Sequence, residues 1–191
     1  MTKNEILQIF KKTNAILKGH FKLSSGLHSA GYLQCARVLE HPEYAAKLCA
    51  ELAKKFEKEK PNIVIAPALG GILVSYEVAR SLGAKSIFAE RIAGKMTLRR
   101  GFELSKKDKV LVVEDVITTG LSTKEVIEVV KSYGSELIGV GCLIDRSRRK
   151  VNFAPRFESL TEIDIPTFKP EDCPLCKDGI PAIKPGSRPS A

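Results

Sequence analysis

Between residues 62 and 145 the chain alternates short β-branched runs with helical patterns, and this rhythm constrains the fold more than any other feature. The runs are NIVIAP (62–67), KSIFAER (85–91), KVLVVED (109–115) and ELIGVGCLID (136–145). Residues 72–82 and 123–133 carry apolar side chains at helical spacing, with Val126, Ile127 and Val130 turned inward and Gly83 and Gly134 as stops. KVLVVED is nearly continuous in Val and Leu, as suits a strand covered on both faces. Such alternation predicts right-handed βαβ units and an α/β fold with a doubly wound parallel sheet. FESLTEIDI (157–165) reads as a last strand.

The regions on either side are less regular. TKNE (2–5) reads as a capping box opening a helix whose face is Ile6, Ile9, Phe10 and Leu17, with Gly19 as its stop. GHFKLSSGLHSAGYLQC (19–35) alternates apolar positions around Ser-Ser-Gly and predicts a hairpin-like excursion before the core. Pro42 opens a second helix, burying Tyr44, Ala45, Leu48, Leu52 and Phe56. Residues 92–108 connect two strands without an apolar helical face, and their Gly94, Gly101 and basic residues suit a mobile lid over an anion. The tail from Lys169 is rich in Pro and Gly, closes with PGSRPSA and reads as irregular. The expected organisation is one domain over 1–168, with its N-terminal helix and hood segment in 1–40, followed by the tail at 169–191.

Hydrophobic residues make up 43% of the 191, enough for a sizeable core. No apolar run approaches the roughly 18 residues of a membrane span and the N-terminus lacks a signal-like stretch, so a cytoplasmic protein without a membrane partner is expected. The net charge of +9 favours anionic partners. Scattered lysines such as those of KKFEKEK (54–60) read as a solvated face, whereas RIAGKMTLRR (91–100) and RSRRK (146–150) concentrate charge. No nucleic-acid module is visible, which favours a small polyphosphate over nucleic acid.

Five cysteines without an export signal argue against a disulfide framework. Cys35, Cys49 and Cys142 read as small core residues. Cys173 and Cys176 form C-P-L-C, two of the four ligands of a structural zinc, with no matching pair visible elsewhere. A zinc shared between subunits and a tight turn carrying two thiols both stay open, and no metal ligand is assigned within the chain.

In an open parallel sheet, ligands bind beyond the carboxyl ends of the strands. Four groups fall there: Ala68-Leu69-Gly70-Gly71, Glu90-Arg91, Glu114-Asp115 with its loop, and Asp145-Arg146. The loop offers backbone amides and the hydroxyls of Thr118, Thr119, Ser122 and Thr123 at a helix N-terminus, a natural phosphate site, although it is not a Walker P-loop. Adjacent acids ending a buried strand need a polar partner. A sugar diol would serve, so a sugar phosphate satisfies both halves. Glu114 pairing with Arg91 or a lysine, and Asp115 acting as a cap, are the structural alternatives.

VLVVEDVITTGLST (110–123) resembles the phosphoribosyl-diphosphate signature of the type I phosphoribosyltransferases. FKLSSGLHSAGYLQ (21–34), APALGGI (66–72), GKMTLRRGF (94–102) and CLIDR (142–146) extend the resemblance, over most of the chain, to the orotate phosphoribosyltransferases. The resemblance implies the type I fold with a small N-terminal hood, and transfer of phosphoribosyl from phosphoribosyl diphosphate to orotate with substrate-chelated Mg2+; transfer to another nucleobase, and a phosphoribosyl-diphosphate-sensing regulator, are the alternatives. It implies that Glu114 and Asp115 hold the ribose hydroxyls, and that Thr118, Thr119, Gly120, Leu121 and Ser122 cradle the 5′-phosphate. Val116 and Ile117 complete that binding segment. Thr118 and Arg146 are implied to contact orotate, with Ser25 and Gly26 in the orotate-facing N-terminal segment. Arg91 and Lys95 match the lid residues that face the diphosphate, Lys95 being the catalytic one, in a homodimer whose lid reaches the neighbouring subunit. Ser24, Gly70, Ile92 and Thr97 stand where the better-known bacterial branch carries Lys, Lys, Lys and His, leaving Arg99 and Arg100 as candidate replacements for the lost charge.

Overall fold

The computed structural model describes residues 1–23, 25–148, 150–153 and 155–184. Helix α1 (Lys3–Lys12) opens on the expected capping box: the Glu5 amide donates to Thr2 Oγ1 at 3.3 Å and the Thr2 amide to Glu5 Oε2 at 2.7 Å. The helix ends at Lys12, well short of Gly19. The Thr13 hydroxyl donates to the Ile9 carbonyl at 2.9 Å and Asn14 takes a φ of 52°, so the chain turns out of the helix into β1 (Ile16–Lys22). Leu17 and Gly19 therefore lie in a strand; the seven-residue step from Phe10 to Leu17 fits a helical face only if the turn at Asn14 is ignored. As expected, β1 forms an antiparallel hairpin with β2 (His28–Leu33). A two-residue strand, β9 (Thr167–Phe168), joins β2 to complete a three-stranded sheet.

A short helix that the periodicity does not reveal, α2 (Ala36–Leu39), precedes α3 (Pro42–Lys54), which carries Pro42 in its first turn. Ala45, Leu48 and Leu52 are buried, Tyr44 partly so. Phe56 lies just past the helix and is also fully buried. A Cβ on Gly139 or Gly141 would come within 2.8 Å and 3.0 Å of its ring, so the two glycines make room for it.

The remaining elements are β3 (Ile63–Pro67), α4 (Gly71–Leu82), β4 (Lys85–Ile92), β5 (Lys95–Leu98), β6 (Lys109–Ile117), α5 (Leu121–Ser132), β7 (Glu136–Asp145) and β8 (Phe157–Glu162). They build a six-stranded sheet in the order β5-β4-β3-β6-β7-β8, parallel throughout except for β5. Alternate strand residues feed two cores, which is why these runs are apolar without a break. Val64, Ala66, Leu111 and Val113 pack with Phe10, Leu48, Leu52, Val74 and Val78 from α1, α3 and α4. Ile63, Ile65, Val110 and Val112 pack on the other side with Val126, Ile127 and Val130 of α5. Each such fully buried side chain contributes roughly 1.5–3 kcal/mol of transfer free energy. Cys35, Cys49 and Cys142 are buried among them.

Two regions differ from expectation. Residues 92–98 form a regular hairpin: Ala93 and Gly94 both take positive φ (47° and 82°), the geometry of a tight two-residue turn, and reverse β4 into β5. Met96 and Leu104 plug into the α5-side core. A four-residue strand followed by an irregular return has too few apolar residues to show as a period. The tail at 169–184 also has structure, with a 3-10 turn (Pro170–Asp172) and α6 (Pro174–Lys177); PGSRPSA lies outside the described residues. Among the described residues, no helix is long and apolar enough to cross a membrane.

Candidate functional site

From β3 the chain passes to β4 on one side and then to β6 on the other, so the carboxyl ends of β3 and β6 border the crevice where the strand order reverses. β3 ends in the turn Ala68-Leu69-Gly70-Gly71, and β6 delivers Glu114 and Asp115. A Cβ on Gly70 would stand 2.9 Å from both carboxylate oxygens of Asp115. One on Gly71 would stand 2.7 Å from the Ala66 Cβ and 3.2 Å from Glu114 Oε1. The glycines thus let one strand end close against the acids of the other, and a side chain at position 70 would displace Asp115.

Glu114 is buried and Asp115 half-buried. Burial, then the neighbouring negative charge of Asp115, pushes the Glu114 carboxyl well above the usual carboxylate range, and burial raises Asp115 as well. The Ser122 hydroxyl donates to Glu114 Oε2 at 3.1 Å. Among the described residues neither acid has an ion-pair partner; Arg91, the sequence-level alternative for Glu114, pairs instead with Glu125 of α5. The folded chain therefore holds protons on this pair more tightly than the unfolded chain does. Its stability falls as pH rises through and above the ordinary carboxylate range, because the folded chain must give up those protons at a cost the unfolded chain does not bear. Replacing Glu114 by Gln removes the charge and keeps an acceptor for Ser122. We expect the free protein to gain about 0.5–2 kcal/mol at neutral pH, and less in acid, read from denaturant midpoints, at the expense of activity. A loss of stability at neutral pH would contradict this account.

Beyond the acids, Thr118, Thr119 and Leu121 are exposed and Val116 and Ser122 half-buried, while Ile117 points into the core. Gly120 occupies the N-cap of α5 with φ of 71° and offers no side chain to the first-turn amides. It is doubly required, since a Cβ there would meet Phe153 Cζ at 2.8 Å and Val151 Cγ1 at 2.9 Å. The Leu121 amide donates to Thr119 Oγ1 at 3.4 Å, while the N-cap glycine offers no side chain to the other first-turn amides of this twelve-residue helix, an arrangement that suits phosphate.

Arg146 leaves β7 beside this loop, its amide donating to the Ile117 carbonyl at 2.8 Å. Burial lowers its pKa, and Tyr32 and Asp164 oppose that shift. Among the described residues, its buried Nε has no hydrogen-bond partner. A half-desolvated guanidinium with an idle donor suits a planar anion. Ser25 and Gly26 form the tip of the β1–β2 hairpin, closed by Gly26 N–H to the Leu23 carbonyl at 2.9 Å. Tyr32, on the same hairpin, acts on Arg146 electrostatically. Ser24 lies outside the described residues.

The lid residues are not gathered with these groups. Arg91 is tied to Glu125, and Arg100 is held by Glu90 through two hydrogen bonds of 2.8 and 2.9 Å, so Arg100 is not a free replacement cation. Lys95 is exposed and borders a cleft of about 570 Å3 between β5 and α5, shared with Lys124, Glu125, Glu128 and Tyr133 and with none of residues 114–122. These pairings join distant segments through long polar side chains, which leave no periodic trace in the sequence.

The model of the phosphoribosyl transferase domain family matches residues 36–168. The orotate phosphoribosyltransferase of Desulforamulus reducens is 60% identical over 188 residues, 98% of each chain. The chain belongs to the orotate phosphoribosyltransferase family. Another family member, from Thermotoga maritima, is 56% identical over 183 residues, 96% of this chain and 98% of the relative. Among solved structures, the orotate phosphoribosyltransferase of Aeropyrum pernix aligns with a TM-score of 0.68 at 26% identity, covering 83% of this chain and 93% of that one. The Mycobacterium tuberculosis orotate phosphoribosyltransferase in complex with inorganic phosphate, at 22% identity and a TM-score of 0.67, covers 83% of this chain and 94% of its own and shares the fold. The family match begins at residue 36, so the hairpin lies outside it, whereas every strand of the six-stranded sheet lies within.

Proposed function

We propose that the chain transfers the 5-phosphoribosyl group of phosphoribosyl diphosphate to orotate, yielding orotidine 5′-phosphate and diphosphate, as a step of pyrimidine synthesis. The observation that carries this reading is the Glu114–Asp115 pair, Glu114 buried and Asp115 half-buried, without an ion-pair partner among the described residues and standing directly before the glycine-capped N-terminus of α5. Carboxylates accept from the vicinal ribose hydroxyls, while the amides of the loop and the hydroxyls of Thr118 and Thr119 donate to the 5′-phosphate. Val116 and Ile117 carry the strand into that loop, and Gly120, Leu121 and Ser122 supply its amides. Ser122 also reaches Glu114, which couples the sugar and phosphate halves of the site. Arg146 and Thr118 are assigned to orotate, with Ser25 and Gly26 at its outer edge. The name carried by the close relatives supports orotate over other bases.

In the reaction the orotate ring nitrogen bonds to ribose C1 as the C1–O bond to diphosphate breaks, its electron pair leaving with diphosphate, and the proton of that nitrogen is released to solvent or to the departing diphosphate. Arg146 orients the nucleophile through its carboxylate, and the loop fixes the ribose so that C1 faces it. Mg2+ bound with the substrate would supply charge neutralisation to the leaving diphosphate. The unpaired acids fit such a substrate, because a cation-chelated diol returns the positive field that burial denies them. Lys95 and Arg91 are assigned to the diphosphate, donated from the lid of a second subunit in a homodimer. Leu69, Leu73 and Tyr76 support that assembly: 80%, 50% and 60% exposed, they form an apolar stripe at helical spacing next to the site. A cytoplasmic location fits the unpaired thiols.

Purified protein with Mg2+ and phosphoribosyl diphosphate should consume orotate, seen as loss of its ultraviolet absorbance, and leave adenine, hypoxanthine and uracil untouched. Turnover of one of those bases without turnover of orotate would overturn the assignment.

A further inference from the structure

The hairpin and the tail bring four metal-ligating side chains to one point, a group that includes neither acid of β6. His20 lies in β1, His28 opens β2, Cys173 precedes α6 and Cys176 lies within it. Their ligand atoms all fall within 4.8 Å of one another. His20 Nε2 stands 2.8 Å from His28 Nδ1, 3.4 Å from Cys173 Sγ and 3.8 Å from Cys176 Sγ. Cys176 Sγ stands 3.2 Å from His28 Nδ1. A tetrahedral zinc with two nitrogens and two thiolates, at bond lengths of about 2.0–2.3 Å, spaces its ligand atoms about 3.3–3.8 Å apart. The observed separations scatter around those edges, and small rotations of the side chains would regularise them.

Two further observations point the same way. His20 Nδ1 lies 2.6 Å from the Ile180 carbonyl, which can only accept, so Nδ1 carries the proton and the Nε2 lone pair faces the cluster. An outer hydrogen bond that fixes the tautomer of a histidine ligand is the usual support of a metal site. Second, across residues 169–184 Cys173 alone is buried, so the segment has almost no apolar core of its own. It nonetheless runs beside β1, with Ile183 N–H donating to the His20 carbonyl at 2.9 Å and Lys22 N–H to the Ile183 carbonyl at 2.8 Å. Segments this poor in buried apolar surface usually need a staple.

We propose that His20, His28, Cys173 and Cys176 bind one structural zinc ion that fastens the C-terminal tail to the N-terminal hairpin. The donor set, two nitrogens and two sulfurs without a free position, is that of a structural zinc. On binding, the two thiols release their protons to solvent and the neutral imidazoles contribute lone pairs. Two thiolates balance the charge of the ion, so no net charge is buried. His20, His28 and Cys173 are buried while Cys176 is exposed, which gives the ion a way in. Both donor pairs come from the same chain, so the C-P-L-C thiols do not need a neighbouring subunit to complete a site. The hairpin so held carries Ser25 and Gly26 at its tip.

The full-length chain, freed of any affinity tag and grown with zinc, should carry about one zinc per chain by elemental mass spectrometry. Exchange with Co2+ should produce the intense visible bands of tetrahedral cobalt and a thiolate-to-cobalt charge-transfer band. Cys176→Ser, at the exposed position, and Cys173→Ser/Cys176→Ser should lower zinc content to below about a tenth per chain and abolish the charge-transfer band. Chelator should lower the melting temperature of the parent chain. Folded parent protein holding almost no zinc after growth and incubation with it, zinc content unchanged in the double variant, or a weak octahedral cobalt spectrum would each overturn the site. The parent measurements decide the question even if the double variant does not fold, and none depends on orotate turnover.

Discussion

Replacing Arg146 by alanine should lower kcat/KM for orotate by about 30- to 1,000-fold, while the KM for phosphoribosyl diphosphate moves by no more than a few fold. The magnitude follows from the state of the side chain. Its guanidinium is half-buried, burial already pulls its pKa down, and among the described residues its Nε has no hydrogen-bond partner. The free protein thus bears a desolvation cost that an arriving carboxylate offsets with two charge-assisted hydrogen bonds. Removing one partner of such a pair leaves the other desolvated and unmatched, worth about 2–4 kcal/mol, which is the range of rates given above. Arg146→Lys should recover little, because an ammonium keeps the charge and loses the planar fork. Steady-state kinetics with each substrate varied in turn check this. An equal loss in both KM values, or full activity in the lysine variant, would remove the arginine from orotate recognition and recast it as a general anchor of the loop.

How much of this site could be read from the sequence depends on how local each part is. The acids and the phosphate loop lie on one strand–turn–helix, so their order along the chain is their order in space, and β6 and α5 form where the period changes. Arg146 is legible for the same reason, as the residue that follows a strand whose end is visible. Gly70 looks like a missing lysine in sequence; the structure gives a reason for its size, since Asp115 fills the space where its Cβ would be. Contacts between distant segments are not legible. His20 and Cys173 are 153 residues apart, the histidines sit in strands as ordinary alternating residues, and C-P-L-C shows half a ligand set with nothing to say where the rest would come from. The Arg91–Glu125 and Arg100–Glu90 pairs are hidden likewise, and together they change the reading of the lid from a free basic loop to a hairpin whose Arg91 and Arg100 are engaged.

That engaged hairpin leads to the second large effect. Lys95→Ala should lower kcat by about 10²–10³-fold with a small change in orotate affinity, the loss expected when one group that stabilises developing charge is removed. Asp115→Asn should be similarly inactive, since the amide presents an N–H toward a hydroxyl that needs an acceptor. If each active site combines the loop of one subunit with the lid of another, the two inactive variants complement each other. Random exchange makes half of the dimers mixed, and each mixed dimer holds one site with both residues intact, so activity should return to about a quarter of the parent value. Within one chain, Lys95 faces α5 across a cleft that excludes residues 114–122, and the exposed Leu69, Leu73 and Tyr76 stripe offers a surface for the second copy. The measurement is orotate consumption after the two variants are mixed and given time to exchange subunits, with each variant alone as control. Activity that stays at the sum of the separate variants, in a sample whose mixed dimers are verified by native mass spectrometry, would mean that Lys95 serves the loop of its own chain. The β4–β5 hairpin would then have to swing away from Glu125 and over Thr118 and Thr119 in each turnover.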